Sequence, residues 1–330
     1  MTPLGRRIDE STPMVDARLP DGSRVNVVIP PLAIKGATLS IRKFVGVRYT
    51  QEDLVRINTL TPAMAQFIKA SVFGRKNIIV SGGTGSGKTT MLNIVSLFIP
   101  EGERIVTIED AAELRLSQTH WVSLEARPAN VEGRGSVSIR DLFHNALRMR
   151  PDRIVIGECR GAETLDMLQA MNTGHDGSLT TVHANSPKDI VSRLDSLVLM
   201  SNIELPVRAI REMVASAVHL IIHTARLSDG SRKITSISEI LGLTDGMEIA
   251  FQELFRFQQA GIDADGAVVG RFVATGHLPT FFQELKVKGI PIDEAIFRAS
   301  PEGLLGQEPA RQVNAGPWTH GMTQPVPSGG

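Results

Sequence analysis

A glycine-rich run at residues 82–89, GGTGSGKT, constrains the fold of this chain more than any other feature. It matches the pattern G-x-x-x-x-G-K-[ST], in which glycines let the backbone wrap closely around an anion. A short apolar, β-branched segment (77–80) precedes the run, and a segment with helical character (88–98) follows it. The sequence therefore predicts a strand, a tight loop and a helix whose N-terminus faces a phosphate group.

Each residue type in this loop has a reason to bind a nucleotide. Backbone N–H groups would point at phosphate oxygens, and the helix dipole would add positive potential. The Lys88 ammonium would neutralise the outer phosphates, and the Thr89 hydroxyl would ligate Mg²⁺. The predicted nucleotide-binding residues are Gly82, Gly83, Thr84, Gly85, Ser86, Gly87, Lys88, Thr89 and Thr90. The predicted ligands are ATP and Mg²⁺.

Three further segments, 104–108, 153–156 and 179–182, have the apolar, β-branched character of buried strands. Helices are predicted between them, near 138–149 and 162–173. Buried strands that alternate with helices indicate an α/β fold, here a P-loop NTPase with a mostly parallel sheet covered by helices on both faces. Two more helices and a further set of strands are predicted beyond the fourth strand.

Carboxylates follow two of these strands, at the edge where parallel sheets bind ligands. Glu109, Asp110 and Glu113 follow the second strand, and Glu158 follows the third. Hydrolysis needs one carboxylate to hold Mg²⁺ or its waters and another to orient the attacking water. The pattern favours these roles over a merely solvated set of acids. His183, at the end of the fourth strand, could sense the γ-phosphate or could be structural, and the residue pattern leaves both open.

Three arginines precede the loop in a stretch that reads as short strands, with a hairpin signal at Asp21-Gly22. They are Arg18, Arg24 and Arg42. Exposed arginines on strands usually have no specific role. These would matter if a neighbouring subunit offered them to the nucleotide as arginine fingers.

Composition disfavours several other functions. The 35 basic and 35 acidic residues cancel, and aromatic residues make up only 5%, which disfavours a nucleic-acid binder. The single cysteine, Cys159, cannot form an intrachain disulfide. Since no apolar run approaches the roughly 18 residues of a membrane span, we expect a cytoplasmic protein that reaches a membrane only through partners.

The chain lacks the signature sequences of two other classes of P-loop protein. A GTPase should carry an N/T-K-x-D sequence, and the nearest segment, SPKD at 186–189, fails at its first position. A transporter-type ATPase should carry an LSGGQ-like signature, and the chain has none. Both absences favour ATP as the nucleotide and a different kind of ATPase.

Taken together, GGTGSGKTT (82–90), TIEDAAEL (107–114) and the long run from RMRPDRIVIGECRG to TTVHANSP (148–187) resemble the secretion-system and type IV pilus ATPase family. The sequence most resembles its CpaF/TadA branch, which serves Flp (tight-adherence) pili. The upstream segment DARLPDGSRVNVVIPP (16–31) is similar to that branch too. The resemblance covers roughly residues 5–298.

The resemblance implies a RecA-like motor domain behind a smaller N-terminal domain, assembled as a hexameric ring with ATP between the domains at subunit boundaries. It implies movements that assemble pili or export proteins through an inner-membrane platform protein, with the ATPase peripheral to that membrane. It assigns Lys88 and Thr89 to the Walker A motif, Glu113 to the catalytic base and Glu158 to the Walker B acid near Mg²⁺. It also raises the expectation that His183 is functional and that at least one upstream arginine contacts phosphate.

Family members usually carry a long segment before the motif that begins at Asp16, so we expect residues 1–48 to be the remnant of an N-terminal α+β domain with its linker. Residues 49–298 would form the ATPase domain, and 299–330 a disordered tail. Two alternatives stay open. The chain could bind nucleotide without hydrolysing it, as an assembly subunit, or it could translocate nucleic acid.

Overall fold

The computed structural model describes residues 7–43, 49–130 and 132–299. The helices are α1 (Gln51–Arg56), α2 (Pro62–Phe73), α3 (Lys88–Leu97), α4 (Ile139–Ala146), α5 (Glu163–Asn172), α6 (Asp189–Leu199), α7 (Val207–Ala217) and α8 (Phe282–Val287). The strands are β1 (Met14–Arg18), β2 (Arg24–Val28), β3 (Thr38–Arg42), β4 (Ile78–Gly82), β5 (Ile105–Glu109), β6 (Trp121–Glu125), β7 (Arg153–Cys159), β8 (Leu179–His183), β9 (Leu220–Arg226), β10 (Arg232–Leu243), β11 (Ile249–Ile262) and β12 (Val268–Ala274).

Within these residues the strands form two sheets. β1, β2 and β3 make a small antiparallel sheet, and the others make one large sheet in the order β12-β11-β10-β9-β4-β8-β7-β5-β6. Neighbours from β9 to β6 are parallel, and β10, β11 and β12 extend the sheet antiparallel. The predicted α/β fold with a mostly parallel sheet is confirmed.

Alternate residues of the central strand face two different cores, as the period of a β-strand requires. Ile78 and Val80 pack with α2 and α3 on one face, while Ile79 packs with α5, α6 and α7 on the other. All five residues of β4 are buried. This double burial explains why β4 reads as a continuous apolar segment instead of an alternating one.

The start of α2 follows from its local sequence, an N-cap residue followed by proline. The Thr61 hydroxyl accepts a hydrogen bond from the backbone N–H of Met64 at 3.2 Å, and Pro62 occupies the first helical turn, where its missing N–H costs nothing. Met64, Ile68 and Val72 recur at a spacing of four and are at most 1% exposed, so they form the buried face of α2.

The structure contains elements that the sequence analysis did not predict. β6 is a short edge strand with partly exposed residues, so it lacks the apolar run that marked the central strands. α1 has only six residues. The predicted disordered tail lies outside the described residues apart from Ala299, and residues 44–48 of the predicted N-terminal remnant and linker lie outside them too. Across the described part of the chain, no helix combines the length and apolar character needed to span a bilayer.

Candidate active site

A cavity of about 540 Å³ lies between the small sheet and the carboxyl edge of the large sheet. The predicted site residues that line it are Arg18, Arg24, Arg42, Thr84, Gly85, Gly87, Lys88, Thr89, Thr90, Glu113, Glu158 and His183. Gly82, Gly83 and Ser86 belong to the same loop without lining the cavity. The fold therefore brings residues from five separate stretches of sequence to one place.

The phosphate loop (residues 82–89) connects β4 to α3 and has the backbone that its glycines permit. Gly85 and Gly87 have φ values of 72° and 97°, in the left-handed region that favours glycine. Ser86 is buried beneath the loop. On the cavity side, Nε of Arg232 donates to the Gly85 carbonyl at 3.0 Å. The Arg232 contact thus holds the loop from β10.

Lys88 begins α3, and its Nζ donates to the Gly83 carbonyl at 2.9 Å across the phosphate loop. Burial lowers the pKa of Lys88, and the nearby Glu158 carboxylate opposes that shift. The ammonium therefore lies inside the loop, at the N-terminus of α3. An anion there would be stabilised by both the lysine charge and the helix dipole.

The acidic segment after β5 folds back onto the last residue of that strand. Oε1 of Glu109 accepts hydrogen bonds from the backbone N–H groups of Glu113, at 2.9 Å, and Leu114, at 3.0 Å. Burial raises the pKa of the Glu109 carboxyl to about 7, although those two hydrogen bonds act in the opposite direction. The Glu113 carboxylate itself lies in the cavity wall.

Pairing in the small sheet places the three arginines side by side. Arg18 lies opposite Arg24, and Arg24 lies opposite Arg42, so they form one cross-strand row, called here the arginine row. Nη2 of Arg24 is 3.1 Å from Oε1 of Glu113, and Nη2 of Arg42 is 3.9 Å from the same atom. Arg18 instead pairs with Glu125, the last residue of β6. The row thus contacts the acidic wall of the cavity.

Glu158 lies near the end of β7 and faces the phosphate loop across the cavity. The Arg160 guanidinium binds the Glu158 carboxylate at 2.6 Å and reaches Asp110 at 3.6 Å. His183 ends β8 and is paired in register with Gly82, which begins the phosphate loop. This position lets His183 approach a ligand held by the loop, while its function stays a prediction.

A second histidine, His223 on β9, lies directly behind the phosphate loop. Its Nδ1 is 2.8 Å from the Ser81 hydroxyl, and it also bonds to the backbone at Asn185. Burial lowers the pKa of His223. His223 thus joins β4, β9 and the segment after His183.

The cavity suits a nucleoside triphosphate with a magnesium ion. Backbone glycines leave the loop open for close approach, since a Cβ added at Gly83 or Gly85 would meet no atom within 4 Å. Eight of the described lysines and arginines line the same space, which fits a polyanionic ligand better than a neutral one. They are Arg18, Arg24, Arg42, Lys43, Lys88, Arg115, Arg160 and Arg232. Thr89 and Glu158 supply the oxygen donors that Mg²⁺ prefers.

Comparison with known proteins agrees with this geometry. The family described as type II/IV secretion system protein matches residues 4–263 of the chain. The chain belongs to this family. A Mycobacterium tuberculosis protein, provisionally named a conjugal transfer protein, is 41% identical over 240 residues, which cover 71% of this chain and 68% of that protein. The type IV secretion system protein PtlH of Bordetella pertussis is 36% identical over 255 residues, covering 69% of this chain and 75% of PtlH.

A solved structure supports the fold of this secretion-family chain. The crystal structure of the pilus retraction motor PilT with bound ADP is similar with a TM-score of 0.52 at 23% sequence identity. The similarity covers 72% of this chain and 66% of the PilT chain. At that identity the likeness concerns the fold alone.

Some residues of this secretion-family site were not identified from sequence. Arg160 and Arg232 line the cavity, and Glu109 was grouped with its neighbouring acids without a role of its own. A signal existed for Arg160, because it follows Glu158 by two residues. Arg232 gave no such signal, since it lies far along the chain and reaches the phosphate loop only through the pairing of β10 with β9.

Proposed function

We propose that this chain hydrolyses ATP in the presence of Mg²⁺ and couples hydrolysis to movement in a secretion or pilus machine. One observation supports this most strongly: the phosphate loop, the Glu113 and Glu158 carboxylates and the arginine row all line a single cavity. Phosphoryl transfer needs little more than positioning and charge stabilisation, and these are the groups that provide both.

Each residue has a role that follows from its position. Lys88 would neutralise the outer phosphates, and Thr89 and Glu158 would hold Mg²⁺, Glu158 partly through water. Bound Mg²⁺ would supply charge neutralisation at the phosphates. Glu113 would orient and deprotonate the attacking water, and His183 would contact the γ-phosphate. These roles rest on the shared cavity and on the family pattern.

The arginine row would stabilise the charge that develops on the phosphates. Arg24 and Arg42 line the cavity in this structure and contact Glu113 there. We propose that one of them exchanges its contact with Glu113 for a phosphate contact when the small sheet and the ATPase domain close. Residues 1–48 would then act as an N-terminal domain that completes the site, and 49–298 as the motor domain.

The biological setting is proposed from the relatives and from the sequence motifs. The relatives are named for conjugal transfer, type IV secretion and pilus retraction. We propose a hexameric ring that works at the cytoplasmic face of an inner membrane through a platform protein, and the sequence motifs favour the CpaF/TadA branch that serves Flp pili.

The test is ATP hydrolysis with Mg²⁺ across a wide range of protein concentration. Wild type would be compared with Lys88→Ala and Glu113→Gln, and with Lys69→Ala, which changes an exposed lysine on α2, as the matched control. We expect activity per subunit to rise with concentration, because the proposed ring would place each site at a boundary between subunits. Both site variants should lose at least 100-fold in kcat, and the control should match wild type.

Two outcomes would contradict the proposal. A wild type that binds ATP but turns over no faster than Glu113→Gln would indicate a non-hydrolysing assembly subunit. Hydrolysis stimulated several-fold by single-stranded DNA, with binding that weakens steeply with salt, would indicate a nucleic-acid translocase instead.

A further inference from the structure

Glu109 is the most buried carboxylate in the wall of the cavity, and the proposed reaction assigns it no role. It is 3% exposed and ends β5. Its Oε1 accepts both the Glu113 N–H and the Leu114 N–H. One oxygen atom thus fixes the peptide on each side of the Glu113 α-carbon, the point from which the proposed catalytic side chain extends.

Different side chains hold the neighbouring amides of the same segment. The Ala112 N–H donates to Oε2 of Glu125 at 3.1 Å, and the Arg115 N–H donates to Oδ1 of Asn93 at 2.8 Å. Three separate elements therefore position the segment, and Glu109 is the one that holds residue 113. Removing the Glu109 acceptor would release residue 113 while the flanking residues stay anchored.

The space for Glu109 is made by a glycine on the next strand. A Cβ added at Gly157 would lie 2.9 Å from Cγ of Glu109, too close for any real contact. Gly157 directly precedes Glu158, so the Glu109 side chain packs between the segment that carries Glu113 and the strand that carries Glu158. Its location links the two carboxylates on which the proposed hydrolysis depends.

The second oxygen of Glu109 distinguishes this residue from an ordinary loop cap. Oε2 is buried in the cavity wall with no hydrogen-bond partner among the described residues. A buried carboxylate oxygen without a partner is costly, and a fold that needed only a loop cap could use a smaller acceptor. Burying Glu109 therefore carries a free-energy cost, which the Oε1 contacts with the Glu113 segment must offset.

We propose that Glu109 is a positioning residue, whose Oε1 holds the Glu113 backbone so that the Glu113 carboxylate faces the attacking water. This inference rests on the proposed function. Because the contact uses one acceptor oxygen, it needs an acceptor and not a negative charge. Glutamine should therefore replace Glu109, whereas leucine, of similar size, should not.

Amide hydrogen exchange of the full chain tests the contact without any reference to hydrolysis. In Glu109→Leu we expect the Glu113 and Leu114 amides to exchange at least tenfold faster, while Glu109→Gln stays within threefold of wild type. Ala112 and Arg115 serve as internal controls, since other side chains hold their amides. Unchanged exchange at Glu113 and Leu114 in Glu109→Leu would overturn the proposal.

Kinetics then test the consequence. Misplacing a catalytic group by about 1 Å can cost about 100-fold, so we expect kcat of Glu109→Leu to fall at least tenfold with KM for ATP within threefold. Glu109→Gln should retain most of the rate. In a Glu113→Gln background, Glu109→Leu should lower the residual kcat by no more than twofold, because the group that it positions is already gone.

If Glu109→Leu lowers kcat by the same factor in the Glu113→Gln background as in wild type, Glu109 does not act through Glu113 and the proposal is overturned. A tenfold loss in Glu109→Gln would overturn it as well. A wild type without hydrolysis would end the proposed function, and the exchange rates would still decide whether Glu109 holds the loop. The two failures are therefore distinguishable.

Discussion

Replacing Glu109 by glutamine should change how the stability of this protein depends on pH. The carboxyl is 3% exposed, and burial raises its pKa to about 7 from an ordinary value of 4.5. The folded protein therefore holds this proton more tightly than the unfolded chain. As pH rises from about 4.5, the unfolded chain ionises first and gains free energy relative to the folded state, until the folded carboxyl ionises near pH 7.

The size of the effect follows from the shift. A difference of about 2.5 pKa units at about 1.36 kcal/mol per unit gives a loss of folding stability of about 3 kcal/mol between pH 4.5 and pH 8. Glutamine cannot titrate, so Glu109→Gln lacks this loss. The amide can change the stability by an amount that does not depend on pH. The free energy of unfolding of Glu109→Gln minus that of wild type should still rise by most of the ~3 kcal/mol between pH 4.5 and pH 8.

Urea unfolding at fixed protein concentration, repeated at half-unit steps from pH 5 to pH 8, measures the two curves. Other titrating groups contribute equally to both proteins, so their difference isolates Glu109. Glu101→Gln is the matched control, because a hydrogen bond from the Thr119 backbone N–H lowers the Glu101 pKa and places its titration below this range. Curves for wild type and Glu109→Gln that stay parallel within about 0.5 kcal/mol would refute the reasoning.

Three other changes have outcomes that the structure specifies. Gly177→Ala should destabilise the fold by at least about 3 kcal/mol in urea unfolding, because Gly177 has φ of 80° and a new Cβ would collide with the buried Arg153 guanidinium; wild-type stability would contradict this. Thr61→Ala removes the N-cap of α2 and should cost about 1 kcal/mol in the same assay, with Thr61→Ser as the control that keeps the hydroxyl. Arg24→Ala should lower ATP hydrolysis at least tenfold without changing the thermal midpoint, whereas Arg56→Ala, an exposed arginine paired with Asp53, should keep the wild-type rate. Equal rates in the two arginine variants would remove Arg24 from the site.

The relation between sequence and site differs from one residue to the next. The phosphate loop could be predicted because its function depends on local backbone geometry: glycines at 85 and 87 take the left-handed conformations that few other residues tolerate. The strands β4, β5, β7 and β8 could be predicted because burial on both faces leaves short runs of apolar and β-branched residues. Both signals lie within a few consecutive residues.

The partners of these residues could not be read in the same way. The sequence contains Arg18, Arg24 and Arg42, but only strand pairing shows that they form one row. Glu109 and Glu113 look alike in the sequence as members of one acidic cluster, yet the fold buries Glu109 beneath the segment that carries Glu113. β6 was missed because a half-exposed edge strand has no continuous apolar run, although it carries the partner of Arg18.

By itself, then, the sequence determined the phosphate loop, the order of the central elements and the acids available at the sheet edge. Tertiary structure decided that Glu109 is the buried acid, that Arg24 and Arg42 meet Glu113, and that Arg232 reaches the phosphate loop from β10. The physical reason is how far apart along the chain the interacting groups lie. Backbone conformation and hydrophobic period depend on neighbours along the chain, whereas burial, pKa and ion pairing depend on groups that only the folded sheets bring within a few ångströms.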